Sequence, residues 1–319
     1  MRLSFLNRTN ERARLKRALG GDQGSFCCLY GRRRCGKSRL LRQVLPKQNS
    51  VYYVGDRREV NLQRSALAEA IALVLPGFAD VSYPDWDALL TRWWNDAPDG
   101  AILAIDEFPY LAESSNDLPS ILQKHIDAFA AKPAHLILCG SSQRMMQGLV
   151  LDESEPLYGR AREILKIEPL GAAWLSKAFG TKEWSELVSA YSVWGGIPRY
   201  WELALDFDSL WEAVESLILD PLGVLHQEPA RLLTDDMRDT VQASSILATV
   251  GQGCHRLSEV AGRLNKPATS LTRPVQRLLQ LGLLQRDIPF GHDPRSSKST
   301  LYSISDPFLS FWFRFVDPN

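Results

Sequence analysis

One segment of the chain restricts its fold more than any other, because it matches the pattern G-x-x-x-x-G-K-[ST] of a phosphate-binding loop. The segment reads Gly31-Arg32-Arg33-Arg34-Cys35-Gly36-Lys37-Ser38, and Arg39 follows it. Glycine lets such a loop curl so that backbone N–H groups face phosphate oxygens. We expect Lys37 to reach the β- and γ-phosphates and the Ser38 hydroxyl to ligate Mg²⁺. The pattern therefore predicts that residues 31–39 bind ATP or ADP together with Mg²⁺.

The residues on either side of this loop fit the structural context that the pattern requires. The apolar run Ser25–Tyr30 before it is typical of a buried parallel strand. Leu40, Leu41 and Val44 after it recur at helical spacing, and Pro46 ends the helix. The alternative is a basic glycine-rich turn that fits the pattern by chance. The succession of strand, loop and helix argues against that alternative.

Length, charge and cysteine content exclude several classes of protein. The 319 residues suggest about two domains, or three, and the net charge of zero gives no overall attraction to nucleic acid. The five cysteines include no C-x-x-C pair, so we expect reduced thiols and no zinc. No apolar run approaches the roughly 18 residues of a membrane span, and the start lacks a signal-peptide core. We therefore expect a cytoplasmic protein with no membrane partner.

A second apolar run ends in two acids and supplies what a nucleotide site needs besides the loop. Ala101–Asp106 is typical of a central strand that is covered on both faces. We expect Asp106 to organise the water around Mg²⁺ and Glu107 to polarise the attacking water. The alternative is a buried strand that simply ends in two exposed acids.

A third apolar run, Ala134–Gly140, is followed by Ser141 and Ser142. A small polar residue at such a strand end can hydrogen-bond the γ-phosphate or the attacking water. The two serines are equally suitable for this role by sequence. The alternative is a plain turn, since Gly-Ser-Ser is common turn chemistry.

Two further strands complete a predicted sheet, one over Ser50–Val54 and one over residues 162–167. Helical patterns lie between the strands, for example at residues 62–75 and 118–129. Alternating strands and helices predict an α/β fold with a parallel sheet.

Taken together, the motifs resemble the archaeal- and bacterial-type ATPases of the STAND branch of P-loop NTPases, which are related to AAA-type proteins. The motifs that carry this resemblance are the phosphate-binding loop and residues 105–108, 140–142, 157–161 and 195–200. The resemblance covers nearly the whole chain. Its most specific segments are residues 195–200 and 301–308, since many NTPases share the loop and the acid-bearing strand.

The resemblance implies further nucleotide contacts. Phe5, Leu6 and Arg8 would approach the adenine and the ribose, with Asn7 in place of the glycine that relatives carry. Pro198 would touch the base from a helical lid over residues 171–235. Two arginines, Arg160 and Arg199, are candidates for phosphate or interface contacts, and each is equally explained as a structural ion-pair partner.

The residues after the predicted lid carry the pattern of a winged helix-turn-helix domain. The predicted elements are helices ending at Gly251, over 257–264 and ending at Leu281, and strands over 283–286 and 300–304. Pro274 is expected in the first turn of the third helix, where proline is tolerated.

Basic and polar residues of this region predict a contact with double-stranded DNA. The candidates on the third helix and in the following loop are Thr272, Arg273, Gln276, Arg277, Gln280, His292, Arg295 and Lys298. The alternative is that this domain packs on the ATPase core as a regulatory element.

The sequence thus predicts a P-loop NTPase core over 1–170, a lid over 171–235 and an α+β winged helix over 236–310. Residues 311–319 would be the truncated start of the nuclease-like C-terminal domain of many relatives. The favoured function is a Mg²⁺-dependent ATPase switch that acts on DNA, on a protein partner or through self-association. A DNA-binding regulator that retains ATP or ADP with little turnover is the alternative. A small-molecule kinase is weaker, because no acceptor site is visible.

Overall fold

The computed structural model describes residues 3–237, 239–291 and 300–318. The chain divides into two compact units. One is Asn7–Glu168, which we name the sheet unit. The other, the helical unit, combines the residues up to Leu6 with those from Pro169 onward.

The sheet unit is built on five parallel strands in the order β2-β3-β4-β1-β5. The strands are β1 (Ser25–Tyr30), β2 (Ser50–Val54), β3 (Ala101–Asp106), β4 (Ala134–Gly140) and β5 (Glu163–Lys166). Every residue of β1, β3 and β4 is buried, which explains why these segments read as continuous apolar runs. The predicted α/β fold with a parallel P-loop NTPase sheet is confirmed.

Helices cover both faces of this sheet. They are α1 (Thr9–Leu19), α2 (Lys37–Val44), α3 (Val60–Ala72), α4 (Trp86–Asp96), α5 (Phe108–Ser114), α6 (Leu118–Ala128) and α7 (Gln143–Leu151). One face forms a large core that includes Trp93 of α4, Phe26 of β1 and Leu122 of α6. On the other face, α1 packs on α2, β1 and β5.

The topology of the sheet determines where its polar residues meet. Parallel strands that lie side by side bring their carboxyl ends to one edge of the sheet. The ends of β1, β3 and β4 lead into the phosphate-binding loop, into Glu107 and into Ser141. Three segments that are far apart in the sequence therefore lie together at this edge.

The helical unit contains nine α-helices, a 3-10 helix (Ala172–Trp174), a π-helix (Glu215–Leu219) and a two-stranded antiparallel sheet among its described residues. Its helices are α8 (Leu175–Phe179), α9 (Trp184–Trp194), α10 (Pro198–Ala204), α11 (Leu210–Val214), α12 (Glu228–Asp236), α13 (Thr240–Gly251), α14 (Leu257–Arg263), α15 (Ala268–Gln280) and α16 (Pro307–Phe315). The strands are β6 (Leu284–Asp287) and β7 (Leu301–Ile304).

The position of Pro274 differs from the prediction. Helix α15 begins at Ala268, so Pro274 lies inside the helix and not in its first turn. Proline has no N–H to donate to the carbonyl of Ser270, and its ring crowds that carbonyl, at a cost of about 3 kcal/mol in a helix interior. The prediction failed because Leu271, Val275 and Leu278 bury one continuous stripe that holds the helix on both sides of the proline.

Candidate functional site

The phosphate-binding loop follows β1, and its backbone requires glycine at two points. Gly31 has φ 147°, and a Cβ added there would lie 2.4 Å from the carbonyl oxygen of Ile167. Gly36 has φ 93° and directly precedes α2. Arg34 also adopts a left-handed conformation, with φ 69°. The loop therefore curls as the sequence predicts, and the N-terminal end of α2 opens onto it.

Lys37 is held inside the curl of the loop. Its side chain is buried, and its ammonium donates to the carbonyl oxygens of Gly31 at 2.7 Å and Arg32 at 3.1 Å. An ammonium group has three hydrogens, so these two bonds fix its position and leave it able to contact a phosphate oxygen. Ser38, one residue along α2, is exposed at the same end of the helix.

Arg8 contacts the backbone of the phosphate-binding loop, and its predicted approach to the ribose stays a prediction. Its buried guanidinium donates to the carbonyl of Cys35 at 3.1 Å and to that of Glu168 at 2.5 Å. A third bond of 3.0 Å joins it to the carboxylate of Glu11. Arg8 therefore connects the phosphate-binding loop to the segment that follows β5, and its backbone is left-handed with φ 70°.

Asp106 is almost fully buried at the end of β3 and accepts hydrogen bonds on both carboxylate oxygens. The backbone N–H of Glu107 donates to Oδ1 at 3.0 Å, and the phenol of Tyr52 donates to Oδ2 at 2.6 Å. The Cys139 thiol, at the end of β4, lies beside this carboxylate. Burial first, and then the charge of Asp106, raises the pKa of Cys139 well above its ordinary value.

Glu107 has a backbone conformation that is rare for its residue type. Its φ of 52° lies in the left-handed region, which costs a non-glycine residue on the order of 1 kcal/mol or more. Its Oε2 accepts hydrogen bonds from the Ser141 hydroxyl at 2.9 Å and from the Ser141 N–H at 3.2 Å. The structure therefore brings the predicted base and one of the two candidate serines into direct contact.

The two serines, which are equivalent by sequence, have different contacts. Ser141 binds Glu107, whereas the Ser142 hydroxyl accepts from the N–H of Met145 and so caps α7. Both side chains are buried. The contact with the acid at the end of the neighbouring strand favours Ser141 for the γ-phosphate role.

Arg160 is not brought to the phosphate-binding loop. Its guanidinium pairs with the carboxylate of Asp127 at 2.8 Å and donates to the carbonyls of Pro156 and Tyr158. Asp127 lies in the last turn of α6, which leads toward β4, so the pair lies near the amino ends of the strands, opposite the loop. A phosphate contact by Arg160 is therefore not supported, and an interface role stays a prediction.

The remaining predicted nucleotide contacts lie in the helical unit, and they stay predictions. Phe5 is half-buried and Leu6 is buried. Pro198 is the first residue of α10, after a left-handed Gly195 with φ 56°. Arg199 pairs with the carboxylate of Glu202 at 2.9 Å.

Most of the predicted DNA-contacting residues of α15 are exposed. Thr272, Arg273, Gln276 and Gln280 are exposed, whereas Arg277 is half-buried and donates to Gln280 at 3.2 Å. The other candidates, His292, Arg295 and Lys298, lie outside the described residues. Helices α13, α14 and α15 pack together next to the β6–β7 pair. This arrangement agrees with the elements predicted for a winged helix, whose identity stays a prediction.

Three residues of the carboxyl edge were missed by sequence reasoning: Tyr52, Cys139 and Tyr110. The phenol oxygen of Tyr110 accepts from Arg33 at 3.0 Å, and the Arg57 guanidinium lies 4.8 Å from the centre of its ring. The only sequence signal was their position near the ends of strands or just after Glu107. That signal does not distinguish them from ordinary packing residues.

Residues 5–203 match the model of a family described as an ATPase domain predominantly from Archaea. An uncharacterized protein of Methanocaldococcus jannaschii, MJECL04, is 30% identical over 317 residues. The match spans 99% of this chain and 69% of that protein.

Two solved structures are similar over almost the whole chain. The Walker-type ATPase PABY2304 of Pyrococcus abyssi has a TM-score of 0.71 and 18% identity, covering 98% of this chain and 96% of that one. The ORC2 protein of Aeropyrum pernix, in ADPNP–ADP complexes, has a TM-score of 0.62 and 14% identity, covering 98% and 93%. Identities this low show a shared fold alone. The STAND branch and a nuclease-like extension stay predictions.

Across residues 3–237, 239–291 and 300–318, none of the helices combines the length and the hydropathy that crossing a bilayer requires.

Proposed function

Because the chain belongs to the family of ATPase domains found predominantly in Archaea, we propose that it is a Mg²⁺-dependent ATP hydrolase that works as a slow switch. The nucleotide would bind at the carboxyl edge of the sheet, where the loop, Asp106, Glu107 and Ser141 meet. The observation that carries this proposal is the contact between Glu107 and Ser141 beside a phosphate-binding loop that is already curled.

Each residue at this edge has a role that follows from its chemistry. The N–H groups of residues 31–36 and the Lys37 ammonium would hold the phosphates. The donor set fits Mg²⁺, since Ser38 offers an exposed hydroxyl and Asp106 a carboxylate for outer-shell water. Bound Mg²⁺ would neutralise phosphate charge. Glu107 would take the proton of the attacking water.

The hydrogen bonds from Ser141 explain why turnover would be slow. They use one carboxylate oxygen of Glu107 and hold the side chain against β4. The other oxygen keeps free lone pairs, but a general base must also turn toward the attacking water, and these bonds restrain that rotation. Release of Glu107 from Ser141, for example when Ser141 turns to the γ-phosphate, would then precede hydrolysis.

We further propose that the nucleotide state controls binding of double-stranded DNA through α15. The exposed Arg273, Thr272 and Gln276 support this, because arginine and polar side chains on one helix face suit phosphate and base contacts. Elements α13–α15 and β6–β7 supply the three helices and the strand pair that a winged helix needs. A protein partner or a second copy remains the other proposed occupant of this surface.

The second candidate is a DNA-binding regulator that retains ATP or ADP with little turnover. The same Glu107–Ser141 contact favours it, if that contact persists when nucleotide is bound. ATP turnover by the purified protein, measured with and without duplex DNA, separates the two. Turnover that duplex DNA stimulates supports the ATPase switch, whereas tight retention of intact ATP in both conditions supports the regulator.

The DNA part of the proposal has its own test. Arg273→Ala should weaken duplex binding and lower the slope of log affinity against log salt by nearly 1, because about one phosphate contact is lost. Arg263→Ala is the matched control, since Arg263 is exposed on α14 and donates to Gln252. Fluorescence anisotropy across a salt series measures both. Coinciding binding curves for Arg273→Ala and the parent would argue against DNA contact by this face of α15 and would favour a protein partner there.

A further inference from the structure

The phenol of Tyr52 lies between two groups assigned to the metal site. We infer that Tyr52 is a positioning residue that orients Asp106 for Mg²⁺, an inference that rests on the proposed ATPase function. Tyr52 belongs to the edge strand β2, whereas Asp106 ends β3 and Ser38 lies in the first turn of α2. One side chain therefore connects three elements at the carboxyl edge.

The strand register explains how Tyr52 reaches Asp106. Tyr52 pairs with Ala104 and Val54 pairs with Asp106 in the parallel ladder. Tyr52, Ala104 and Asp106 therefore share one face of the sheet, because alternate residues of a strand point to the same side. The single methyl group of Ala104 leaves room for the phenol ring to lean along the strand toward Asp106.

Contacts at both ends of the side chain hold Tyr52 in place. Its hydroxyl donates to Asp106 Oδ2 at 2.6 Å, and the Ser38 side chain lies beside the phenol. The guanidinium of Arg42, one turn further along α2 than Ser38, lies 5.1 Å from the ring centre. Burial first, and then the bond to Asp106, raises the pKa of Tyr52, so the phenol keeps the proton that it donates.

These contacts matter because an outer-shell carboxylate works only when it is oriented. With the N–H of Glu107 on Oδ1 and Tyr52 on Oδ2, both oxygens of Asp106 are fixed in position. An ionised carboxylate offers about four lone-pair sites, so each oxygen keeps capacity for metal-bound water. Removing hydrogen bonds of this kind typically lowers metal affinity by about 10- to 100-fold.

The neighbouring tyrosine provides a matched control. Tyr53 is buried on the opposite face, in the core, and its phenol donates to the carbonyl of Gln63 at 3.3 Å. Tyr52→Phe and Tyr53→Phe each remove one phenol hydrogen bond from β2, but only the first removes one from Asp106. A difference between the two variants therefore reports on the metal site and not on the strand.

The test is binding of a fluorescent ATP analogue to each variant, in a Mg²⁺ titration and in EDTA, with thermal unfolding as the check on folding. For Tyr52→Phe we expect the Mg²⁺ concentration that gives half of the maximal Mg²⁺-dependent increase in binding of the ATP analogue to rise by about tenfold. Its affinity for the analogue in EDTA should equal that of the parent. Tyr53→Phe should match the parent in both conditions. Arg42→Ala should shift the Mg²⁺ titration in the same direction by a smaller factor.

An unchanged Mg²⁺ titration for Tyr52→Phe, or an equal loss of affinity in EDTA, overturns the inference. Either result would leave the proposed function standing, because the parent protein would still bind Mg²⁺ and ATP. A parent protein that binds no nucleotide would instead overturn the proposed function, and the role of Tyr52 with it.

Discussion

The two ends of the five-stranded sheet are both polar, but the residues that distinguish one end from the other differ in their contacts and backbone conformation. At the amino end, several charges are paired: the carboxylate of Glu163 pairs with Arg14 and Arg17, and Arg160 pairs with Asp127. At the carboxyl end, Arg34 and Glu107 adopt left-handed backbone, and Lys37 contacts only uncharged carbonyls among its described partners. Paired charges stabilise a fold, whereas strained residues and charges without counter-ions mark a place that binds something else.

The difference follows from the loops and not from the strands. The same buried strands β1, β3 and β4 supply both ends. Substitutions at the carboxyl end should therefore change binding or turnover while leaving stability nearly unchanged. Those at the amino end should do the reverse.

The largest effect is expected from Glu107→Gln. The amide keeps the shape of the side chain but cannot accept a proton from water, so ATP turnover should fall by about 10²- to 10⁴-fold while ATP binding persists. Glu113→Gln, an exposed site on α5, should turn over ATP like the parent. Phosphate release under saturating Mg-ATP measures both. If Glu107→Gln hydrolyses ATP at the parent rate, Glu107 has no catalytic role and is only an acidic residue at the end of a strand.

Lys37→Ala should have the next largest effect. Losing a charge-assisted contact to phosphate should weaken Mg-ATP binding by about 10- to 100-fold. Lys47→Ala, in the exposed segment after α2, controls for the loss of one positive charge. Equilibrium titration with a fluorescent ATP analogue gives both affinities, and equal affinities would remove the phosphate-binding role of the loop.

Glu163→Gln tests the other end of the sheet. Burial alone would raise the pKa of Glu163, but the hydrogen bonds and charges of Arg14 and Arg17 outweigh burial and lower it. Losing these charge-assisted bonds should reduce the free energy of unfolding by about 1 kcal/mol, with ATP affinity unchanged. Urea unfolding and nucleotide titration of the same preparation measure the two quantities. A loss of ATP affinity without a loss of stability would reverse our assignment of the two ends.

A smaller effect should follow from pH, through His135 at the amino end. Burial first, and then the charge of Arg162, lowers the pKa of His135 below 6.5. Between the lowered pKa and 6.5 the unfolded chain binds a proton that the folded chain does not. Stability is therefore complete above 6.5 and declines as the pH falls below it. Melting curves of the parent and of His135→Gln should differ in slope over that interval, and parallel slopes would contradict this.

The sequence predicted the strands well, because fully buried strands must read as apolar runs. The strands at Ser25–Tyr30, Ser50–Val54 and Ala101–Asp106 agree with the predicted bounds. The loop and the position of Glu107 were predictable too, since phosphate chemistry restricts their spacing.

The contacts between elements were not predictable in the same way. The bond from Tyr52 to Asp106 depends on the register of β2 against β3, which a single sequence does not reveal. The contact of Glu107 with Ser141 and not with Ser142 depends on which hydroxyl faces the neighbouring strand. The ion pair that keeps Arg160 at the amino end depends on Asp127, whose position only the fold determines.

The central claim, that nucleotide binds at the carboxyl end of the sheet, is tested most directly by hydrogen–deuterium exchange with and without Mg-ADP. We predict slower exchange at residues 31–38 and 106–108 and around Ser141 when the nucleotide is present. Residues 21–25 and 160–163, at the amino end, should exchange at the same rate in both conditions. Protection confined to the amino end, with none at residues 31–38, would contradict the account.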